Sequence, residues 1–193
     1  NECNIEDYLT HEQMELANDL GIWITLHMAK QDGCGDKENL KNLEEFTTKK
    51  YPKIKWILAH VARSFTYRPI EKAIDTLKNL PNIWYDLSAV TDVRPFITLF
   101  KNEDHKRIFY GTDGIESASF HGAYTAYGHF HYQIETDKLE SLNFSHTSNR
   151  PIISLYEQLI SIKQASIICE MNGEQIEDVF WRNAVREFNI PWK

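Results

Sequence analysis

One recurrence constrains this chain more than any other feature. Through residue 114, an amphipathic helix, a short apolar run and a polar residue opening a loop follow one another repeatedly. Thr10 and Gln13 stand at capping-box spacing before Met14, Leu16, Ala17 and Leu20, and Gly21 suits a helix end. The run 22–26 is rich in β-branched and aromatic residues and stops at His27. A second helix is expected over 36–51, with Leu40, Leu43 and Phe46 on its apolar face and Pro52 ending it. The strand 55–59 follows and stops at His60. A third helix begins around Pro69, with Ile70, Ala73, Ile74 and Leu77 on one face. The strand 83–87 then ends near Ser88. A helix over 93–101 and a strand over 107–110 lead to Gly111-Thr112-Asp113-Gly114.

The strand ends fall near residues 27, 60, 88 and 113. A βαβ unit occupies about 30 residues, so this spacing predicts parallel strands joined by helices, in an open doubly wound sheet or part of a barrel. The pattern breaks after Gly114. Residues 115–150 are expected to form a long loop or insertion with short helices. A helix is expected over 151–169, with Leu155, Leu159 and Ile162 among its apolar positions, and a last one over 172–188, with Asn172 and Gln175 at capping-box spacing. No linker interrupts the chain, and residues 1–193 are read as one domain.

Charge and cysteine content narrow the function classes. The formal charge of −7 disfavours nucleic acid and anionic membranes as partners. Cys3, Cys34 and Cys169 are odd in number and widely spaced, which suits neither a disulfide framework nor a thiolate zinc site. A reducing, cytoplasmic location is expected. The longest apolar runs are of strand length, so no membrane span is expected. The opening Asn1-Glu2-Cys3 has no methionine and reads like the middle of a longer chain.

In parallel α/β folds the active site forms at the carboxyl ends of the strands. Helices return each strand in the same direction, so His27, His60 and Asp113 are expected at one rim. Imidazoles and carboxylates are the usual non-thiolate ligands of zinc and related ions, and such an ion lowers the pKa of a bound water to about 7. Each residue alone has a plainer reading: a histidine after a strand is commonly structural, and Asp in Gly-Thr-Asp-Gly is a common turn residue. Their equivalent placement in successive units is what joins them.

The segments Trp23-Ile24-Thr25-Leu26-His27, Trp56-Ile57-Leu58-Ala59-His60 and Ile108-Phe109-Tyr110-Gly111-Thr112-Asp113 resemble the fifth, sixth and eighth strands of amidohydrolase-related barrels. The subgroup they are most similar to is amidohydrolase 2, which contains aminocarboxymuconate-semialdehyde decarboxylase and related enzymes. Arg182-Asn183-Ala184 resembles that family's closing helix. The resemblance implies the C-terminal portion of a (β/α)8 TIM barrel, strands five to eight, with extra C-terminal helices. It implies a divalent metal, expected as zinc, with His27 and Asp113 as ligands. Asp113 would otherwise accept a proton from the metal-bound water. His60 would sit just behind the metal or act as acid/base, and Arg63 would pair with a substrate carboxylate. Lys30, Ser88 and Asp86 are further candidates for the pocket wall. The chain departs from the family: no His-x-His pair precedes His27, and four strands' worth of chain is missing with it, so the expected metal site lacks two ligands. His129-Phe130-His131 is such a pair, but it follows the last barrel motif. His121 and His146 remain uncommitted, and His105 is expected at the surface.

The leading expectation is a metal-dependent hydrolase or decarboxylase acting on a small carboxylated or cyclic substrate. A second is a catalytically incomplete half-barrel with a structural or binding role. Its open sheet edges would favour a homodimer. A third is an unrelated open α/β domain binding a ligand at its strand ends. Nucleotide binding is not expected, because no Gly-x-Gly-x-x-Gly or phosphate loop is present.

Overall fold

A computed structural model describes residues 2–114, 121–135 and 153–192. Four strands, β1 (Trp23–Leu26), β2 (Lys55–Leu58), β3 (Ile83–Asp86) and β4 (Ile108–Phe109), form a parallel sheet in sequential order. Helices α1 (Ile5–Tyr8) and α2 (His11–Leu20) precede β1, and α3 (Lys37–Glu45), α4 (Tyr67–Leu77) and α5 (Val93–Asn102) connect the strands.

Local signals explain most element ends. Thr10 caps α2 with the reciprocal Gln13 bond, and Gly21 ends it at φ 61°. The Asp36 carboxylate accepts from the amides of Glu38 and Asn39 at the start of α3. The helix expected over 36–51 is α-helical only to Glu45; residues Phe46–Lys50 widen into a π turn. There the Thr47 hydroxyl bonds back to the Leu43 carbonyl, which competes with regular helix bonding. Helix α4 starts at Tyr67, ahead of Pro69, which still lies in its first turn.

The two faces of the sheet differ. Trp56, Leu58, Ile83, Tyr85 and Ile108 are fully buried in the core shared with α2–α5. On the other face Trp23 meets Trp84 at 4.5 Å and Phe109 at 6.1 Å between ring centroids, while Thr25 is exposed. Parallel sheets are normally covered on both faces. Among the described residues, Phe188 covers part of the second face, its ring 5.0 Å from Trp23 and 5.4 Å from Phe109.

The C-terminal part ties itself to the strands. It comprises α6 (Ser154–Ile168), α7 (Gly173–Glu177), a π turn over Asp178–Arg182, and α8 (Asn183–Glu187). Asn172 and Gln175 form the expected capping box. The Tyr110 amide donates to the Val179 carbonyl, and the Asn183 side-chain amide donates to the carbonyls of His105 and Ile108. Helix α6 does not use Leu155 and Leu159 as its buried stripe; it buries Ser154, Gln158, Ser161, Ile162 and Ala165. Small side chains let it approach closely, and Gln158 donates to the carbonyls of Leu87 and Gly111.

Within the segment expected to be a loop with short helices, residues 121–135 form an antiparallel hairpin of β5 (His121–Tyr127) and β6 (Phe130–Glu135). Its Tyr, Phe, Thr and Ile content favours strand pairing over helix. The rest of 115–150, His146 included, lies outside the described residues.

Candidate active site

The strand ends bring His27 and His60 together, with ring centroids 5.1 Å apart. Strand alternation alone would not do this. His27 shares the parity of Trp23 and Thr25, whereas His60 shares that of the buried Trp56 and Leu58. The backbone redirects it. Residues His60, Val61, Ala62 and Arg63 all have positive φ, between 52° and 59°, making a left-handed turn directly after β2. Left-handed helical geometry costs roughly 1–2 kcal/mol per non-glycine residue, more acutely for a β-branched one such as Val61. Lys30, Ala89 and Asp113 also have positive φ, so each loop leaving a strand's carboxyl end carries such a residue. Backbone strain gathered at one rim is a common accompaniment of functional sites.

Hydrogen bonding fixes the tautomer of His60. Its Nδ1 lies 3.0 Å from both the Ser88 carbonyl oxygen and the Ser88 hydroxyl. A carbonyl only accepts, so Nδ1 carries a proton and Nε2 is the ring nitrogen left to exchange one. Ser88 is 1% exposed, and its own amide donates to the Asp86 carboxylate at 2.5 Å. Asp86 thus anchors the turn that holds His60.

Arg63 donates from one guanidinium nitrogen to the Lys30 carbonyl at 2.5 Å. The Lys30 ammonium turns the other way, to Asp36 at 3.3 Å and Glu38 at 2.5 Å. Its backbone therefore braces the rim while its charge faces the start of α3. His27 is held below its ordinary pKa of 6.5, first by partial desolvation and then by the charges of His60 and Arg63; Asp113 acts in the opposite direction. Asp113 is exposed at the rim.

Sequence reasoning missed several neighbours. The Tyr8 hydroxyl donates to the His27 carbonyl at 3.2 Å, and burial pushes its pKa up to about 12. Phe65 stacks on His60 at 5.3 Å and meets His131 of the hairpin at 5.1 Å. No spacing rule could announce these, because they come from a short N-terminal helix and a distant hairpin. His105, expected at the surface, is part-buried beside Phe100, and its Nε2 is a buried nitrogen without a hydrogen-bond partner. Docking of Gln175 and the C-terminal helices covers it.

The metal expectation meets a limit. Among the described residues, no three His, Cys, Asp or Glu side chains gather closely enough to hold an ion. A protein zinc site uses at least three ligands, so His27 and Asp113 do not make one by themselves. His129 is exposed at the hairpin turn and His131 packs on Phe65.

The Amidohydro_2 family, described as amidohydrolase, matches residues 6–190. The chain belongs to this amidohydrolase family. Its fold is similar to that of the 5-carboxyvanillate decarboxylase LigW from Sphingomonas paucimobilis, with a TM-score of 0.50 and 12% identity over 99% of this chain and 56% of that one. The 4-oxalomesaconate hydratase LigJ from Rhodopseudomonas palustris matches with a TM-score of 0.42 and 13% identity, over 97% of this chain and 55% of the other. The chain therefore spans little more than half the length of these solved structures. A search of curated proteins finds no match. Among the described residues, no helix is long and apolar enough to cross a membrane.

Proposed function

We propose that this chain carries part of the active-site rim of a lyase or hydrolase of the amidohydrolase type, acting on a small carboxylated or cyclic substrate. The observation that carries the reading is the His27–His60 pair at the strand ends, with His60 Nδ1 fixed by Ser88. On this reading His60 is the acid/base: its Nε2 accepts a proton from the reacting group and returns it. Ser88 holds the ring in that tautomer and orientation. Arg63 receives a substrate carboxylate, since among the described residues its guanidinium makes one hydrogen bond, to the Lys30 carbonyl. The four strands correspond to strands five to eight of a (β/α)8 barrel, supported by their sequential parallel order and by the half-covered aromatic face. The divalent ion expected as zinc would need ligands in addition to His27 and Asp113. The edges at β1 and β4 make self-association into a homodimer expected as well.

The test is an assay of decarboxylation on aryl carboxylates and of hydrolysis on cyclic amides, with the bound metal measured alongside. Replacing His60 by Ala should lower kcat about 10²–10⁴-fold, the usual range for a general acid/base. Ser88→Ala should cost less and leave the acid/base in place. Full activity in His60→Ala would sink the proposal.

A further inference from the structure

The two histidines of the rim are unequally open. His27 is exposed, whereas His60, whose ring centroid is 5.1 Å away, is 5% exposed. Among the described residues it is Phe65 that lies over His60, its ring stacked on the imidazole at 5.3 Å and 29° between planes. Phe65 is itself 7% exposed and also meets His131 of strand β6 at 5.1 Å. Three rings from separate segments are thus in contact: one directly after β2, one directly before α4, and one on the hairpin. A substrate cannot press on an imidazole so deeply covered. Chemistry at His60 therefore requires the side chain above it to move.

The structure holds a place for that ring to go. A cavity of about 160 Å³ adjoins Phe65, bordered also by Arg63, Arg68, Pro69, Phe130 and His131. A cavity of about 150 Å³ is large enough to take up benzene. Guanidinium groups attract the face of an aromatic ring, so the two arginines suit a phenyl guest. The outer wall is lightly fastened. At the hairpin tip the Arg94 guanidinium donates to the Gly128 carbonyl at 3.4 Å, a long bond. Arg94 is fixed in turn by its forked pair with Asp92 and by the Tyr67 ring at 4.7 Å. The adjacent tip residues Tyr127 and Phe130 are exposed. On the inner side, Phe65 follows the left-handed turn 60–63, so strained backbone lies close to the ring.

We propose that Phe65 is a gate over His60, held shut by the β5–β6 hairpin, and that it opens by swinging its ring into the adjoining cavity. Closed, it keeps water from the imidazole; open, it exposes Nε2. The hairpin sets how often the gate opens, because His131 stands against the ring. Only the role of His60 as the reacting group is taken from the proposed function. Access to the imidazole can be read without substrate, so the gate and the chemistry can fail separately.

The experiment follows carbethoxylation of each histidine in the full chain by diethyl pyrocarbonate, resolved by mass spectrometry, with exposed His27 as the reference. A minor state is commonly populated to about 0.1–10%, so His60 should react about 10–1000-fold more slowly than His27. Local opening exposes little surface, so this rate should hardly change in low urea, while exchange of the Tyr85 amide in β3 accelerates. Phe65→Ala should raise the His60 rate at least about tenfold. Phe65→Leu, which keeps bulk but loses the flat ring, should raise it severalfold. Arg94→Gln, which loosens the hairpin tip, should do the same with the urea midpoint nearly unchanged. Where the alanine variant fails to fold, the other two decide. Labelling that behaves in this way on a chain without activity upholds the gate and removes only the acid/base assignment. Three results overturn the gate: His60 reacting as fast as His27, a His60 rate as steep in urea as Tyr85 exchange, or a rate unmoved by both Phe65→Leu and Arg94→Gln.

Discussion

Two arginines stand at opposite ends of the same sheet, and their surroundings differ sharply. Arg107, at the amino ends of the strands, donates to the carbonyls of Ile83, Lys78 and Leu80 and to the Glu103 carboxylate. Arg63, at the carboxyl ends, has its one hydrogen bond among the described residues with the Lys30 carbonyl. Around Arg107 the backbone groups left over from the strand ends are satisfied by side chains. Around Arg63 the backbone is wound left-handed, and among the described residues its guanidinium bonds one carbonyl. One end of the sheet closes the fold, and the other keeps bonding capacity in reserve at a cost in conformational energy. That division matches the general habit of parallel α/β proteins, in which the amino ends serve stability and the carboxyl ends serve chemistry.

The contrast can be broken first at its stable end. Arg107→Ala leaves the Glu103 side chain, 2% exposed, buried without its cation. Breaking a buried pair this way costs up to about 3–5 kcal/mol, a large share of a typical margin of about 5–15 kcal/mol, so the urea midpoint should fall clearly. An unchanged midpoint would mean that the amino end is not the fastening it looks to be.

At the other end the informative change is Gly33→Ala. Gly33 has φ 50°, and a Cβ there would stand 2.7 Å from the Arg63 carbonyl oxygen and 3.1 Å from its Cβ. Backbone must move, at about 1–3 kcal/mol. The same shift should displace Arg63 and weaken binding of a carboxylated substrate more than the stability loss alone would explain. Loss of stability with affinity intact would separate the turn from the site.

Acidification gives the smallest effect and sharpens the comparison further. His27, His105 and His131 all have pKa values lowered by burial from the ordinary 6.5. Below 6.5 the unfolded chain takes up protons that the folded chain still refuses, so stability falls as pH drops through this window and levels off under the folded values. Glu103 acts in the opposite sense, because burial raises its pKa. Urea midpoints should therefore be lower at pH 5.5 than at pH 7.5, and His105→Gln should shrink the difference. A midpoint that rises on acidification would contradict the assigned directions.

The periodic units were readable because their signals are local. The Thr10 box, the Asp36 cap and the left-handed Gly21 each act within one helical turn, and the four strand runs are short and apolar. The departures come from contacts between distant residues. Helix α6 looked like a leucine-faced helix, but Gln158 turns inward because the carbonyls of Leu87 and Gly111 need a donor. Histidine 105 looked solvated until the C-terminal helices were laid over it. The hairpin sits in a stretch whose aromatic and small residues give no clean period.

By itself the sequence determined the alternation of helix and strand, the common direction of the strands, and the choice of His27, His60 and Asp113 as residues at their ends. Tertiary structure decided that His27 and His60 meet. Alternation along β2 assigns His60 to the face of Trp56 and Leu58, toward the helices. The left-handed turn overrides that assignment, and its φ values belong to no local preference of Val, Ala or Arg. The turn packs closely against Gly33, where a side chain would collide with the Arg63 carbonyl oxygen.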